Sequence, residues 1–229
     1  MRTGFSTSYL LFFLLIPVLN IVLNNITEKE HIGLIALCVM VFSIIPTMFI
    51  DVKIGYVGWF MVLYVIASYF RLYQKKFFEN RLLWGSVTIV LLIISCMSVL
   101  ACVWLNGRGY SLYFYFFVND SNKLLALLPA VATFLFFKNL HLPYCKVINS
   151  ISATTFGVLL IHANSDTMRQ WLWKDVLNNV GMYNSKWLLV HAIGSVMAVY
   201  ISCVLIDLIR INLIEKKVMG YWDKIVDKA

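Results

Sequence analysis

The sequence predicts an all-α fold, a polytopic transmembrane helix bundle of about seven spans, and three observations predict it. First, 61% of the 229 residues are apolar and only 13% charged, against roughly half and a quarter in a water-soluble domain. So little polar surface leaves lipid as the main solvent. Second, apolar runs recur along the whole length, each near the roughly 20 residues an α-helix needs to cross about 30 Å of hydrocarbon. Third, runs such as Ile89 to Ile94 do not alternate apolar with polar residues, as the strands of a membrane β-barrel would. Helices are then the remaining way to satisfy the backbone in lipid. A single transmembrane domain over residues 1–229 is expected, its main partner the lipid bilayer.

The spans follow in order. The first, Ser8 to Leu23, carries Pro17, tolerated in membrane helices because neighbours re-satisfy the freed carbonyl. Thr27 and Glu30 stand at capping-box spacing and start the second, His31 to Phe49. After a turn around Asp51 to Gly55, the third runs from Tyr56 to Tyr73 and ends among Arg71, Lys75, Lys76 and Arg81. The fourth, Leu82 to Trp104, is the longest apolar run, with Ser95, Ser98 and Ala101 as positions where another helix can approach closely. The aromatic cluster from Tyr110 to Phe117 suits a loop at the lipid headgroups, and a fifth span is expected over Asn119 to Phe137.

The sixth span, Val147 to Ala163, is the most polar. Asn149, Ser150, Ser152, Thr154, Thr155 and His162 all lie on it, so it is expected to be buried in the bundle, with Gly157 as its closest contact point. Asn164 to Ser185, with Trp171, Trp173 and Lys174, is too polar to span and suits the interface. The seventh span covers Lys186 to Ile209. Beyond it Lys216, Lys217, Lys224 and Lys228 stand beside Trp222, a composition that favours an anionic inner leaflet.

The net charge of +8 comes from Lys and Arg in short loops and the tail, where membrane proteins carry orientation charge, and no nucleic-acid surface is expected. With the tail cytoplasmic, inner segments hold about 12 of the 19 basic residues and outer segments about 7. The N-terminus then lies outside, although Arg2 argues weakly against it. The five cysteines are odd in number, without a Cys-x-x-Cys pair, and read as packing residues. No set of ligands at metal-binding spacing is evident, so no metal is expected.

Four segments, taken in order, carry a resemblance. They are the aliphatic run Tyr9 to Leu19 around Pro17, the Tyr-rich stretch from Val62 to Arg71, Thr133 to Leu140 with its Lys138-Asn139 pair, and Ile148 to His162 with Ser152, Phe156 and Gly157. Together they resemble the membrane acyltransferase family 3, in its polysaccharide and envelope O-acyltransferase form. The match corresponds to roughly spans four to ten of that family, whose ten spans have both ends in the cytoplasm. A chain holding the last seven would begin outside, in agreement with the charge count.

The resemblance implies transfer of an acyl group, expected to be acetyl, from acyl-coenzyme A to a hydroxyl of a cell-envelope or exopolysaccharide sugar. The acceptor is a glycan or lipid-linked sugar, and the protein is expected in the plasma (inner) membrane as a multi-pass protein. The family's first-helix Arg and His, ten residues apart, and its Arg-x-x-Arg motif have no counterpart in this sequence. This implies that the chain alone does not turn over acyl donor. The rival expectation is a non-enzymatic membrane component of polysaccharide export or assembly.

Acyl transfer to a hydroxyl calls for a base within hydrogen-bond reach, and His162 is the candidate catalytic residue, with helix packing as its alternative role. His162, Asn164, His191 and Arg108 are candidates for substrate binding. His162 and His191 lie at similar expected depth, either sharing a polar site with Asn164 and Asp166 or standing as separate interfacial histidines. Arg71, Lys75 and Lys76 are candidates for the phosphates of the donor, since cations suit phosphate, with orientation charge as the plainer reading.

Overall fold

The computed structural model describes residues 5–48, 55–111, 113–163 and 165–226, with the backbone alone at 223, 225 and 226. All regular structure among them is helical. Seven apolar helical segments fall where the sequence places spans: α1 (Phe5–Asn25), α2 (Glu28–Met48), α3 (Tyr56–Leu72), α4 (Arg81–Asn106), α5 (Leu124–Lys138), α6 (Lys146–Ala163) and α8 (Leu188–Arg210). Between the last two, α7 (Asp166–Gln170) opens the interfacial stretch, and α9 (Lys216–Val226) ends the described chain. Five segments are long and apolar enough to cross a membrane, whereas α3 and α5, apolar too, are shorter.

The capping box forms as expected: Thr27 Oγ1 accepts from the Glu30 amide, and the Glu30 carboxylate accepts from the Thr27 amide at 2.7 Å. The fifth helix departs from expectation. It starts at Leu124 rather than Asn119, because Asp120 takes up the Ser121 amide at 2.8 Å in a turn. Most of the expected turn around Asp51 lies outside the described residues.

The chain divides into two compact units, residues 7–142 and residues 143–229 together with 1–6. In the first unit, helices α1 to α5 run up and down. His31 near the start of α2 meets Val65 and Ser68 late in α3, Ser43 near the end of α2 meets Asn122 just before α5, and Lys138 at the end of α5 reaches Phe70. One end of this unit therefore gathers Arg71, Lys75, Lys76, Arg81 and Lys138. Its apolar core is Trp59, Val62, Ile66 and Leu127, with Ile35 and Phe42 against it. Helix α4 buries only Cys102 and leaves side chains such as Leu82 and Ile89 bare, the face a lipid-embedded helix shows. The cysteines are free thiols, Cys102 and Cys203 buried, Cys38 and Cys145 partly so, Cys96 exposed.

In the second unit α6 packs on α8, with Val158, Cys203 and Val204 at the centre. Here burial differs from expectation. Of the polar residues on α6 only Thr154 is buried, beside Gly157 and Val158, while Asn149, Ser152 and Thr155 are exposed. Helical spacing explains it: Thr154, Gly157 and Val158 form one stripe against α8, and Ser152, Thr155, Leu159 and His162 form another that faces away. The helix is interrupted at Thr154, whose hydroxyl donates to the Ile151 carbonyl at 2.7 Å.

Candidate functional site

The outward stripe of α6 lines an open groove of about 570 Å³ whose polar side chains are Ser152, Thr155 and His162. The His162 Nδ1 lies 2.6 Å from the carbonyl oxygen of Val158, one turn earlier. A carbonyl only accepts, so Nδ1 carries a proton, and in the neutral ring Nε2 is then the acceptor. His162 is half-buried, and among the described residues no hydrogen bond occupies Nε2. In its neutral form, a ring oriented by a backbone carbonyl at the edge of a groove can accept a hydrogen bond from a hydroxyl.

The opposite stripe fixes this helix. At Gly157 a methyl group would overlap the Asp207 carboxylate, which fills that space from α8. Asp207 is 1% exposed and is held by the guanidinium of Arg210, Nε to Oδ1 at 2.6 Å and Nη2 to Oδ2 at 3.4 Å. Arg210 also donates to Glu215 at 2.7 Å. A buried carboxylate persists only when paired in this way. The expected close contact at Gly157 is thus with a charged side chain, a partner that the sequence did not name.

The other expected substrate residues have partners of their own where they are described. The ring of His191 donates from Nε2 to Asn179 Oδ1 at 3.0 Å, so the two histidines take separate partners. Asn164 lies outside the described residues. Asp166 is ion-paired with Arg169. Arg108, in the first unit, stacks over the Trp104 ring 4.1 Å from its centroid. Among the described residues no three His, Cys, Asp or Glu side chains cluster as metal ligands.

The three expected donor cations share the basic end of the first unit. Arg71 donates to Asn20 Oδ1 at 3.2 Å, and the same oxygen accepts from Tyr64. Lys75 pairs with Glu28, which also accepts from Tyr69 at 2.9 Å, and Glu28 raises the pKa of the Lys75 ammonium above its ordinary value. Lys76 is exposed. Lys138 joins them as a fourth cation.

Two polar residues escaped the sequence reading. His31 is fully buried, its Nε2 donating to the Val65 carbonyl at 3.0 Å beside Ser68 and its ring edge-on to those of Tyr69 and Tyr73. Among the described residues its Nδ1 finds no partner. Lys123 is buried with its ammonium 2.6 Å from the Pro46 carbonyl and 4.7 Å from the Phe116 ring centroid. A lone His and a lone Lys were the available signals: His31 reads as the first residue of a span, and Lys123 falls inside the expected fifth span without comment.

These helices and motifs have a counterpart among known families: the acyltransferase 3 domain model matches residues 5–207. The chain belongs to the membrane acyltransferase family 3. The match takes in every apolar helix from α1 to α8, including the groove of α6, so the acyltransferase assignment and the all-helical membrane architecture agree. No curated protein and no solved structure matches this acyltransferase.

Proposed function

We propose that this acyltransferase moves an acyl group, acetyl in the simplest case, from acyl-coenzyme A to a hydroxyl of a cell-envelope or exopolysaccharide sugar, with His162 as the residue that receives the hydroxyl proton. The observation that carries this reading is the setting of His162: its Nδ1–H is committed to Val158, and the residue lines an open, mostly apolar groove together with Ser152 and Thr155. The acceptor oxygen attacks the thioester carbonyl as its proton passes to Nε2. The carbon–sulfur bond breaks, and the coenzyme A thiolate leaves and takes up a proton. An oriented base of this kind contributes about 10²–10⁴-fold to such a step. Arg71, Lys75, Lys76 and Lys138 suit the donor's phosphates as a cluster of cations. The four groups lie at one end of the first unit, and a basic end of this kind suits the cytoplasmic side and so a cytoplasmic donor.

The test is transfer by the purified chain in nanodiscs, from radiolabelled acetyl-coenzyme A to envelope glycan fractions. Against the expectation that a chain without the family's Arg and His motif is idle, this reading predicts transfer, and transfer that falls at least about a hundredfold in His162→Ala with folding intact. Absence of transfer to every fraction overturns the enzymatic reading in favour of a non-enzymatic component of polysaccharide export or assembly. Orientation has its own test. Glu79→Cys and Tyr110→Cys, expressed without the native thiols, should label from opposite sides, the first only after permeabilisation. These neighbours are chosen because Asn80 caps α4 and Gly109 has φ 96°.

A further inference from the structure

The helix that follows α8 has no role in the chemistry above, yet its surface is strongly two-sided. On α9, Lys216 and Lys224 stand eight residues apart on one side with Lys217 next to them, while Val218 and Trp222 share the opposite side, flanked by Met219 and Tyr221. The four apolar side chains are 52–71% exposed. A bare face of this kind, rich in aromatic residues, requires a covering.

Length says where that face lies. The helical run from Leu188 to Trp222 is 35 residues, about 52 Å at 1.5 Å per residue, against about 30 Å of hydrocarbon. Its last part therefore lies beyond the lipid core. Asp207, Arg210 and Glu215 mark the exit, since such a linked set of charges belongs at the boundary rather than in hydrocarbon. Between Arg210 and Lys216 the helix makes a π-turn, Ile211–Glu215, the sort of local widening at which helices bend.

We propose that α9 lies along the surface of an anionic leaflet, its Val218 and Trp222 side embedded among the headgroups and its lysines paired with lipid phosphates, with the π-turn as the bend that lays it down. Charge decides between occupants. Three lysines on the polar side complement an anionic surface, and α8 already tethers the helix to one. Lysine stems lie along the apolar boundary with the ammonium groups at the phosphate level, and Trp222 and Tyr221 suit the same depth.

The experiment places an environment-sensitive fluorophore at Val218→Cys in the full chain without its native thiols, in nanodiscs of phosphatidylcholine with or without phosphatidylglycerol. Brominated lipid should quench the label strongly only when phosphatidylglycerol is present, and a label at Gly220→Cys, on the lysine side, should be quenched much less. Replacing Lys216, Lys217 and Lys224 with Gln should weaken the lipid-bound state by roughly fivefold per lysine. Equal quenching in both lipids overturns the proposal, as does a label shielded from brominated lipid and aqueous iodide alike, which would indicate a protein cover. If the thiol-free chain does not fold, hydrogen exchange of amides 216–226 in the native chain answers instead. Slower exchange in anionic discs supports the assignment, and equal exchange contradicts it.

Discussion

The two units treat their polar side chains in opposite ways. In the first, the polar groups that enter the bundle are consumed: His31 and Ser68 converge on the Val65 carbonyl, Ser43 on the Asn122 carbonyl, Asn139 on Phe78, and Lys123 on Pro46. In the second, Ser152, Thr155 and His162 of α6 are left on a groove, while Thr154, Ser195 and Asp207 are buried. A histidine in an apolar helix is therefore not informative by itself. Each ring has one nitrogen on a backbone carbonyl and, among the described residues, one without a partner. What separates them is burial, since His31 is fully enclosed while His162 is half-buried on a groove.

The contrast breaks most readily where the second unit seats a buried carboxylate against a glycine. Gly157→Leu forces the Asp207 carboxylate out of its seat and should destabilise the protein by about 3 kcal/mol or more, through overpacking and disruption of a buried ion pair. Val90→Leu, on an exposed part of α4, should melt with the parent. Thermal unfolding of the two variants in detergent measures both, and equal melting would show that α6 does not depend on this contact.

A smaller effect is expected at the end of the first unit opposite its basic rim. Thr47 Oγ1 donates to the Ser43 carbonyl at 2.6 Å and accepts from the Leu124 amide at 2.9 Å, which ties α2 to the first turn of α5. Thr47→Val keeps the shape and removes both bonds, for a loss of about 1–2 kcal/mol. Chemical unfolding of variant and parent gives the number, and an unchanged midpoint would mean that this polar junction does not hold the unit together.

The smallest change in stability belongs to the exposed rim. Arg71→Gln with Lys75→Gln should leave melting nearly unchanged, because surface ion pairs contribute little, while weakening acyl-coenzyme A binding measured by calorimetry. Since Glu28 raises the Lys75 pKa, the lysine's contribution to donor affinity persists through neutral pH and falls only as pH rises through that elevated pKa. Undiminished affinity in the double variant would leave these residues as orientation charge alone.

Much of this was legible in the residues. Run lengths located the apolar helices, and Thr27 with Glu30 marked the capping box, because span length and capping are local properties, although the span was placed from His31 and the helix starts at Glu28. Gly157 stood out for the same reason, as a small residue on a polar helix. Its partner did not, since Asp207 lies fifty residues on, on another helix. The burial of α6 was overestimated because counting its polar residues ignores their phase: Thr154 points to α8, and Ser152, Thr155 and His162 do not. His31 was missed because one histidine at a span boundary carries no signal until Val65 and Ser68, more than thirty residues away, are brought beside it.

The most direct measurement sets the two histidines against each other. His31→Ala and His162→Ala are each assayed for melting temperature and for acetyl transfer per folded molecule. His31→Ala is expected to lose about 3 kcal/mol of stability, from a buried cavity and a broken hydrogen bond, with transfer per folded molecule retained. His162→Ala should melt like the parent and lose about 10²–10⁴-fold in transfer. The reverse pattern, with transfer surviving at His162→Ala and abolished in a fully folded His31→Ala, would contradict the assignment and move the chemistry into the first unit.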